Sequence, residues 1–437
     1  MYNSVRMATV LGISVLMLNS SAAVADFMSD GKASVNLRNF YYNNDNRNRS
    51  ATLSKTEEWA QGFVLDYKSG YTDGTLEVGV DVLAMTAVTL DSGKGRHLNS
   101  SMIPSEHDGR AVDQWGRLGV TAKARVSATE IRSGTLIPKL PILNANDGRV
   151  LPQTFQGTQI TSRDLENALL TVGRIESTTG RGSTDRTGLS VSGAPRESDH
   201  FDYAGIEWTL NKQLLAQYYV GYLQDFYTQQ FVGIVNTHSF ANGASLKADL
   251  RFFDTKASGA NRNRVAGYQA SGYSRHGDGV INNQTWAATF FYNLGAHTFT
   301  LGYQSVSDQG GFVQPNQNSL PDKGAGSPSS GTFTDRLVYA FYRAGEQTVY
   351  GGYAYDFTGM GVPGLKVSYI YLRGDNIKTA VGPDAKEWEQ NLYVDYVVQS
   401  GPLSGLGLRW LQGAGRSATF GDVDQTRLVM SYSWALF

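Results

Sequence analysis

The chain has 437 residues, with 38 lysines and arginines against 39 aspartates and glutamates, so its formal net charge is -1 at pH 7. This balance excludes the strong positive field expected of a nucleic-acid-binding protein. The chain has 49 glycines, 24 tyrosines, only 11 prolines and no cysteine, a composition that favours one large all-β unit with many tight turns and no disulfides.

Residues 1–25 have the pattern of an export signal. A basic n-region precedes an apolar run over residues 7–18, and Ala-Val-Ala at residues 23–25 is a small-x-small cleavage site. We therefore expect a mature domain of residues 26–437; the alternative is a short membrane anchor. No later apolar run approaches the ~20 residues of a spanning helix. If the mature chain enters a membrane, it must do so as a β-barrel.

Apolar and polar residues alternate with period 2 along most of the mature chain, and residues 76–90 show this most clearly. Leu76 and Val78 fall on one face, and Glu77 and Asp81 fall on the other. Strands of this length are unusual in a soluble sandwich but typical of tilted membrane strands, which need ~10 residues or more.

The strand signals recur at regular intervals, separated alternately by short and long connections, as in a transmembrane barrel. The predicted strands are residues 33–42, 59–67, 74–90, 115–128, 129–137, 154–160, 167–176, 201–208, 215–225, 229–240, 245–254, 284–293, 297–306, 346–357, 364–373, 388–399, 405–413 and 426–437. They number eighteen, which predicts an antiparallel barrel wide enough to hold an aqueous channel.

The polar face of the strand over residues 115–128 is basic. Arg117, Lys123 and Arg125 fall opposite Leu118 and Val120. Burying a neutral polar group without a hydrogen-bond partner costs about 2–7 kcal/mol, and burying an unpaired charge costs more. A soluble core would therefore tolerate these charges only as pairs. A water-filled lumen leaves them hydrated, so this face is predicted to line a pore.

Residues 129–157 interrupt the alternation. Three prolines, at positions 138, 141 and 152, are incompatible with a central strand. Between them lie polar residues suited to a wet environment, flanked by leucines and isoleucines that could anchor the segment. From the residues alone, an exposed loop and a segment folded into the lumen are equally compatible with this pattern. The residues of interest are Pro138, Pro141, Asn144, Asn146, Asp147 and Arg149.

Several short sequences in order resemble the OprD-like substrate-specific porins of Gram-negative outer membranes, also called outer-membrane carboxylate channels. They are LRNFY at 37–41, AQGF at 60–63, LDSG at 90–93, GTLIPKLP at 134–141, RGDNI at 373–377, YVVQSGP at 396–402 and RL at 427–428, followed by a terminal Phe437. Together they span essentially the whole mature chain.

The resemblance implies an 18-stranded barrel whose third extracellular loop folds inward, with a ladder of basic residues that conducts carboxylates past the constriction. The positions that match this ladder are Arg38, Lys123, Arg125, Arg409 and Arg427, with Arg149 in the loop; Lys366 is added from its strand phase alone. Acidic candidates for the opposite wall are Asp66, Glu77, Asp81, Asp225, Asp249 and Asp395. Alternatively, these charges pair across the lumen and stiffen the wall.

The resemblance also bears on the transported solute. The family's arginine-selective branch has more basic residues near the positions of Ile370, Asp395 and Leu411, so a strict preference for basic amino acids is the alternative here. The sequences at 387–389 (EWE) and 407–410 (GLRW) are closer to the branch linked to cyclic and aromatic carboxylates. We therefore expect diffusion-driven uptake of such solutes.

An outer-membrane hydrolase is the main alternative of another class. The histidines are scattered, and neither His-Glu-x-x-His nor Gly-x-Ser-x-Gly occurs, although a Ser-His-acid set could assemble in space. A soluble glycan-binding protein fits poorly with the charged faces of the long strands. The expected partners are outer-membrane lipid, lipopolysaccharide and small carboxylates. No nucleic acid, cofactor or metal is expected, and the assembly is predicted to be a monomer or a loose homotrimer.

Overall fold

The computed structural model describes residues 30–47, 53–93, 95–97, 100–270, 274–316, 330–379 and 382–437. The expected export signal at residues 1–25 lies outside the described residues, so the signal and the boundary of the mature domain stay predictions.

Eighteen antiparallel strands form one sheet that closes on itself. The first strand pairs with the second along one edge and with the last along the other, so the sheet has no free edge. The barrel strands are β1 (Lys32–Asn46), β2 (Lys55–Lys68), β3 (Glu77–Asp91), β4 (Gln114–Val126), β5 (Thr129–Leu136), β8 (Thr154–Ser162), β9 (Ala168–Thr179), β10 (Phe201–Asn211), β11 (Leu214–Leu223), β12 (Tyr227–Ser239), β13 (Ser245–Ala257), β14 (Asn282–Leu294), β15 (His297–Val306), β16 (Gln347–Asp356), β17 (Leu365–Thr379), β18 (Gly382–Val397), β19 (Gly407–Ser417) and β20 (Val423–Ala435).

The remaining elements are short. Strands β6 (Lys139–Leu140) and β7 (Leu143–Asn144) form a separate hairpin between β5 and β8, and helix α1 (Gly259–Arg262) lies between β13 and β14. A single 3-10 turn spans Phe357–Met360. Among the helices of the described residues, none has the length and apolarity needed to cross a membrane.

Each predicted strand overlaps one barrel strand, so the predicted 18-stranded antiparallel barrel is confirmed. The two strands that flank the proline-containing segment, expected at 129–137 and 154–160, are β5 and β8. Strands β1 and β2 extend further than predicted on their loop side, because polar residues there still pair across the sheet from Asn43 with Glu57 to Asp45 with Lys55.

The outer face of the barrel is apolar, and the exposed side chains show this directly. Leu118 and Val120 of β4 are 66% and 49% exposed, whereas Thr121 and Lys123, on the other phase of the same strand, are buried. Trp208 and Trp434 belong to the same outward phase. Large apolar side chains left on a surface of this kind are stable only against lipid, so the predicted assignment of faces holds.

The long connections all lie at one end of the barrel, but the predicted strict alternation of short and long connections is not found, because 224–226 and 418–422 at that end are short. Short turns such as 127–128 and 212–213 lie at one end, and the long loops lie at the other. In outer-membrane barrels the short turns are periplasmic and the long loops extracellular. We name the loops used below by their order at that end: L2 (92–113), L3 (137–153), L4 (180–200), L6 (258–281) and L7 (307–346, described over 307–316 and 330–346).

A pair of glycines marks the strands that carry L3. Gly134 of β5 pairs directly with Gly157 of β8. Gly134 has a φ of 136°, and a Cβ at this position would overlap the carbonyl of Val120 on β4. Only glycine tolerates this backbone and this close approach, which brings the base of L3 tightly against β4.

Candidate functional site

L3 begins where proline ends the sheet. Strand β5 stops at Leu136, two residues before Pro138, and Pro141 lies in the two-residue turn between β6 and β7. Proline lacks the amide hydrogen needed for strand pairing, so the chain leaves the wall at this point, as its sequence predicted. Asn144 was predicted to lie in an irregular loop. It instead belongs to the small β6–β7 hairpin, where it pairs with Lys139.

Apolar residues of L3 contact two distant parts of the barrel wall. Val150 and Leu151 are buried against the β1–β4 side, in a cluster that includes Phe40 and Met85. Ile142, at the other end of L3, is buried against the β10–β13 side, in a cluster that includes Phe201, Tyr219, Leu223 and Phe231. Phe40 and Met85 lie on the lumen phase of their strands.

The polar tip of L3 is held by two arginines from outside the loop. Nη1 of Arg38 on β1 donates to Asp147 Oδ1 and to the carbonyl of Arg149, each at 2.7 Å. Nη1 of Arg181 in L4 donates to Asn146 Oδ1 at 2.8 Å. These bonds fix the tip relative to β1 and L4.

Three guanidinium groups come together beside Tyr42 of β1. The Cζ atoms of Arg149 and Arg427 lie 4.5 Å and 6.0 Å from the centroid of the Tyr42 ring. Arg181 lies close enough that burial, together with the charges of Arg149 and Arg427, lowers its pKa well below the ordinary arginine value. We call Arg149, Arg181 and Arg427 the arginine cluster.

The members of the arginine cluster bind oxygens that carry no formal charge. Arg149 donates to the carbonyl of Gly148 at 2.8 Å. Arg427 donates to the carbonyl of Leu337 in L7 at 2.8 Å and to Gln425 at 2.7 Å. Within the described part of the chain no carboxylate forms an ion pair with any of the three, and Nε of both Arg149 and Arg181 is buried without a hydrogen-bond partner. All three side chains are buried, and the carboxyl of Asp335 in L7 is near enough to act electrostatically on Arg181 and Arg427 without forming an ion pair with either. Three guanidinium groups thus lie near one acid.

Other members of the predicted basic ladder are paired with acids. Lys123 is buried, lies 2.8 Å from Asp81 and donates to the carbonyl of Ser69 at 2.8 Å. Pairs of the same kind join Arg125 to Glu77, Arg409 to Asp395, and Arg251 to Asp249. For these residues the alternative interpretation, that lumen charges pair and stiffen the wall, describes the observed geometry.

Two further predicted residues lie near the periplasmic end. Lys366 is exposed on the inward phase of β17 and lies directly across from Asp356 and Asp395 on the neighbouring strands. Asp66 lies 3.4 Å from Lys68, two residues along the same strand. Their contribution to a solute path stays a prediction.

The placement of Asp225 on a lumen-facing strand was wrong. Strand β11 ends at Leu223, and Asp225 lies in the three-residue connection to β12 with a φ of 64°. Its Oδ1 accepts a hydrogen bond from the amide of Ala260 at 3.2 Å. Asp225 thus shapes a turn and fastens α1, because aspartate tolerates left-handed backbone and binds nearby amides.

Sequence reasoning did not identify Arg181 or the inner part of L7. Arg181 follows the end of β9 and is flanked by glycines, so no strand periodicity reveals its direction. In L7, the amides of Leu337, Val338 and Tyr339 donate to the buried carboxylate of Glu389 on β18, at 2.6 to 3.1 Å. The EWE sequence contained this glutamate, but only the fold shows what it binds.

A Ser-His-acid set does assemble at the base of L2. Nδ1 of His97 lies 2.5 Å from Glu58 Oε1, and its Nε2 lies 2.8 Å from Ser105 Oγ. Ser100 binds the second oxygen of Glu58 and accepts the amides of Met102 and Ile103. These contacts fasten L2 to β2.

A closed eighteen-stranded barrel with a lipid-facing exterior and charged side chains on its inner phase defines an outer-membrane porin. The sequence profile described as outer membrane porin, OprD family, matches residues 25–436. The chain belongs to the OprD family of outer membrane porins. It is a channel of the Gram-negative outer membrane and not an enzyme, so the hydrolase alternative is not favoured.

Similar sequences and solved structures support the same family assignment. Porin-like protein GalP of Pseudomonas putida is 34% identical over 421 residues, 95% of this chain and 94% of GalP. The crystal structure of Pseudomonas aeruginosa OccK8 (OprE) matches with a TM-score of 0.86 and 42% identity, over 94% of this chain and 100% of that chain. Pseudomonas aeruginosa OpdK, crystallised with vanillate, matches with a TM-score of 0.82 and 36% identity over the same shares.

Proposed function

We propose that this porin passes small carboxylate-bearing solutes, with a preference for aromatic or cyclic ones, through a path lined by the arginine cluster. The observation that carries the proposal is the grouping of Arg149, Arg181 and Arg427 beside Tyr42 without an ion-pair partner among the described residues. Three guanidinium groups near the single carboxyl of Asp335 leave an excess of positive charge on the inner side of β1 and β20, which is the charge that a carboxylate requires.

The chemistry of guanidinium groups suits such a path. A carboxylate that enters a narrow pore loses part of its hydration, and guanidinium donors replace that water with charge-assisted, bidentate hydrogen bonds. Several such sites in series along the channel keep each binding well shallow, so the solute moves on instead of remaining bound. Tyr42 contributes an aromatic face beside the same charges.

We further propose that L3 folds into the lumen and forms the constriction. Its apolar ends pack against the β1–β4 and β10–β13 sides, and Asp147 bonds to Arg38 on the lumen phase of β1. A segment with contacts on both sides of a closed wall is well placed to narrow it. Arg149 then lies at the narrowest cross-section.

The preference for aromatic or cyclic acids draws on two observations. OpdK, which is similar over nearly the whole chain, was crystallised with vanillate, and another similar structure is that of a BenF-like porin from Pseudomonas fluorescens Pf-5. In this chain the lumen acids Asp81, Asp249 and Asp395 are each paired with a cation. They leave little free negative charge for a basic amino acid, the alternative substrate.

Transport by reconstituted protein tests the proposal. Liposome swelling would be compared for benzoate, cyclohexanecarboxylate, arginine and an uncharged sugar of similar size. Replacement of Arg149 and Arg427 by alanine should lower the rates for both carboxylates while leaving the sugar rate unchanged or higher. Arg163→Ala, in the short turn 163–167, is the matched control. Equal carboxylate rates in the double variant and the control would exclude the arginine cluster from the path.

Deleting residues 144–149 tests L3 separately. If the loop narrows the pore, the deletion should raise single-channel conductance in KCl. Unchanged conductance would show that L3 does not line the constriction. Removal of residues 1–25 during export, and a monomeric or loosely trimeric assembly, remain part of the same proposal.

A further inference from the structure

The end of L7 is joined to the barrel wall through two buried glutamates. Glu346, the last residue of L7, is completely buried, and Glu387 of β18 is 2% exposed. Gly374 of β17 lies directly across from Glu387, and a Cβ at Gly374 would overlap Glu346 Oε1. The glycine therefore leaves the space in which the carboxyl group of Glu346 lies beside that of Glu387, near enough for the two groups to act on each other.

Only half of the oxygens in this carboxyl pair have donors. Glu346 Oε2 accepts the amide of Arg343 at 3.1 Å. Glu387 Oε2 accepts Arg343 Nη1 at 2.5 Å and Ser417 Oγ at 2.8 Å. Oε1 of Glu346 and Oε1 of Glu387 are buried, and neither has a donor among the described residues. A buried carboxylate oxygen without a donor loses hydration that nothing replaces.

The nearby charges leave the pair short of one positive charge. Arg343 of L7 is the cation that contacts Glu387. The other charged or titratable groups packed around the pair have partners of their own: Lys378 of β17 binds Asn376 and Asp384, Glu389 of β18 binds amides of L7, Arg416 of β19 pairs with Asp424, and the Tyr339 hydroxyl donates to the carbonyl of Gly421.

We propose that Glu346 and Glu387 share one proton between their donor-free oxygens, and that this proton locks the end of L7 to β18. The proton supplies the missing hydrogen bond and removes the repulsion between two adjacent carboxylates. The pKa of Glu346 is consistent with this proton: burial, and to a smaller extent the charge of Glu387, raise it well above the ordinary carboxyl value.

The lock matters because L7 contacts the pore lining. The carbonyl of Leu337 in L7 accepts a hydrogen bond from Arg427 of the arginine cluster. If the end of L7 leaves the wall, the inner part of the loop keeps only its attachment to Glu389, so its hold on Arg427 weakens. The titration of this shared proton is thus coupled to the dimensions of the channel.

The sign of the pH dependence follows from the direction of the shift. The pKa of this carboxyl group is higher in the locked form than in the released form. At a pH below the ordinary carboxyl pKa, its full contribution to the stability of the locked form is present. That contribution is lost as the pH rises through the raised value. The described end of L7, residues 330–346, should therefore be held most firmly in acid and released in alkaline solution.

Single-channel recording in KCl from pH 4.5 to 9 tests the lock. In the wild-type channel we expect L7-dependent current transitions to become more frequent as the pH rises, by about tenfold per pH unit until the frequency levels off, because each pH unit changes the deprotonated fraction about tenfold. Glu346→Gln keeps a neutral side chain that can donate to Glu387, so its transitions should stay rare and independent of pH.

Two further variants complete the test. Glu106→Gln, an exposed L2 residue, should keep the wild-type pH profile. Glu387→Gln removes the repulsion and offers Glu346 an amide donor, so the pH dependence should move to lower pH; this variant serves if Glu346→Gln does not fold. A flat wild-type profile, or a wild-type profile in Glu346→Gln, would overturn the lock. Because KCl current is measured, neither result depends on carboxylate transport.

Discussion

The guanidinium of Arg149, in L3, lies over the aromatic ring of Tyr42, on β1, with 4.5 Å between the Cζ atom and the ring centroid. The residues are far apart in sequence, and L3 reaches β1 across three intervening strands, β2, β3 and β4. The same ring lies 6.0 Å from the Cζ of Arg427. Tyr42 is therefore the shared support of two cations that form no ion pair with a described carboxylate.

Removing the Tyr42 ring should weaken carboxylate passage. A cation over an aromatic face is stabilised by about 0.5–2 kcal/mol. Tyr42→Leu should therefore leave Arg149 less well positioned and lower benzoate flux by about two- to thirtyfold, the rate equivalent of that energy. Tyr42→Phe keeps the ring and removes only the hydroxyl, so its flux should stay near wild type. Equal losses in both variants would contradict a role for the ring.

A side chain at Gly62 should displace L3. A Cβ at Gly62 on β2 would lie 3.0 Å from the carbonyl oxygen of Val150 and 3.1 Å from its Cγ2. Gly62→Val should cost about 1–3 kcal/mol of packing and raise KCl conductance by moving the loop. Gly351→Val on β16 is the control, because its nearest neighbour is the Thr300 carbonyl at 3.8 Å. Conductance that rises equally in both would point to a general loosening of the barrel.

Glu389 should be the main attachment of the inner part of L7. Its carboxylate accepts the amides of Leu337, Val338 and Tyr339. In Glu389→Ala these buried donors lose their acceptor, at about 1–3 kcal/mol each. We expect larger KCl conductance and faster proteolysis within L7 on intact cells. Asp384→Ala, which removes an exposed acid from the same strand, should change neither; an unaltered L7 in Glu389→Ala would refute the attachment.

The lipid-facing surface should respond to charge according to depth. Leu118, in the middle of β4, is 66% exposed, and Leu436, just beyond the end of β20, is 46% exposed. Arginine on the lipid face costs about 2–4 kcal/mol at the bilayer midplane and about 0–1 near the interface. Leu118→Arg should therefore lower the free energy of unfolding in liposomes far more than Leu436→Arg. Similar values for both would mean that Leu118 is not in the bilayer core.

The barrel could be predicted from the sequence because its main rule is local. In a closed barrel between lipid and water, neighbouring residues on a strand face opposite solvents, so the alternation of Leu118 with Lys123 across β4 already assigns the two faces. Prolines at 138 and 141 likewise end pairing without help from distant residues. Strand count and the start of L3 follow from such local signals.

The tertiary structure alone decided which charges are neutralised. Asp81 and Lys123 look equally available in the sequence, yet the pairing of β3 with β4 brings them within 2.8 Å. Arg181, in a loop without periodicity, joins Arg149 and Arg427 only through the paths of L3 and L4. The alternation of residues determined the wall of this porin, whereas strand register and the course of the loops decided where positive charge remains, because ion pairing depends on distances that no local pattern encodes.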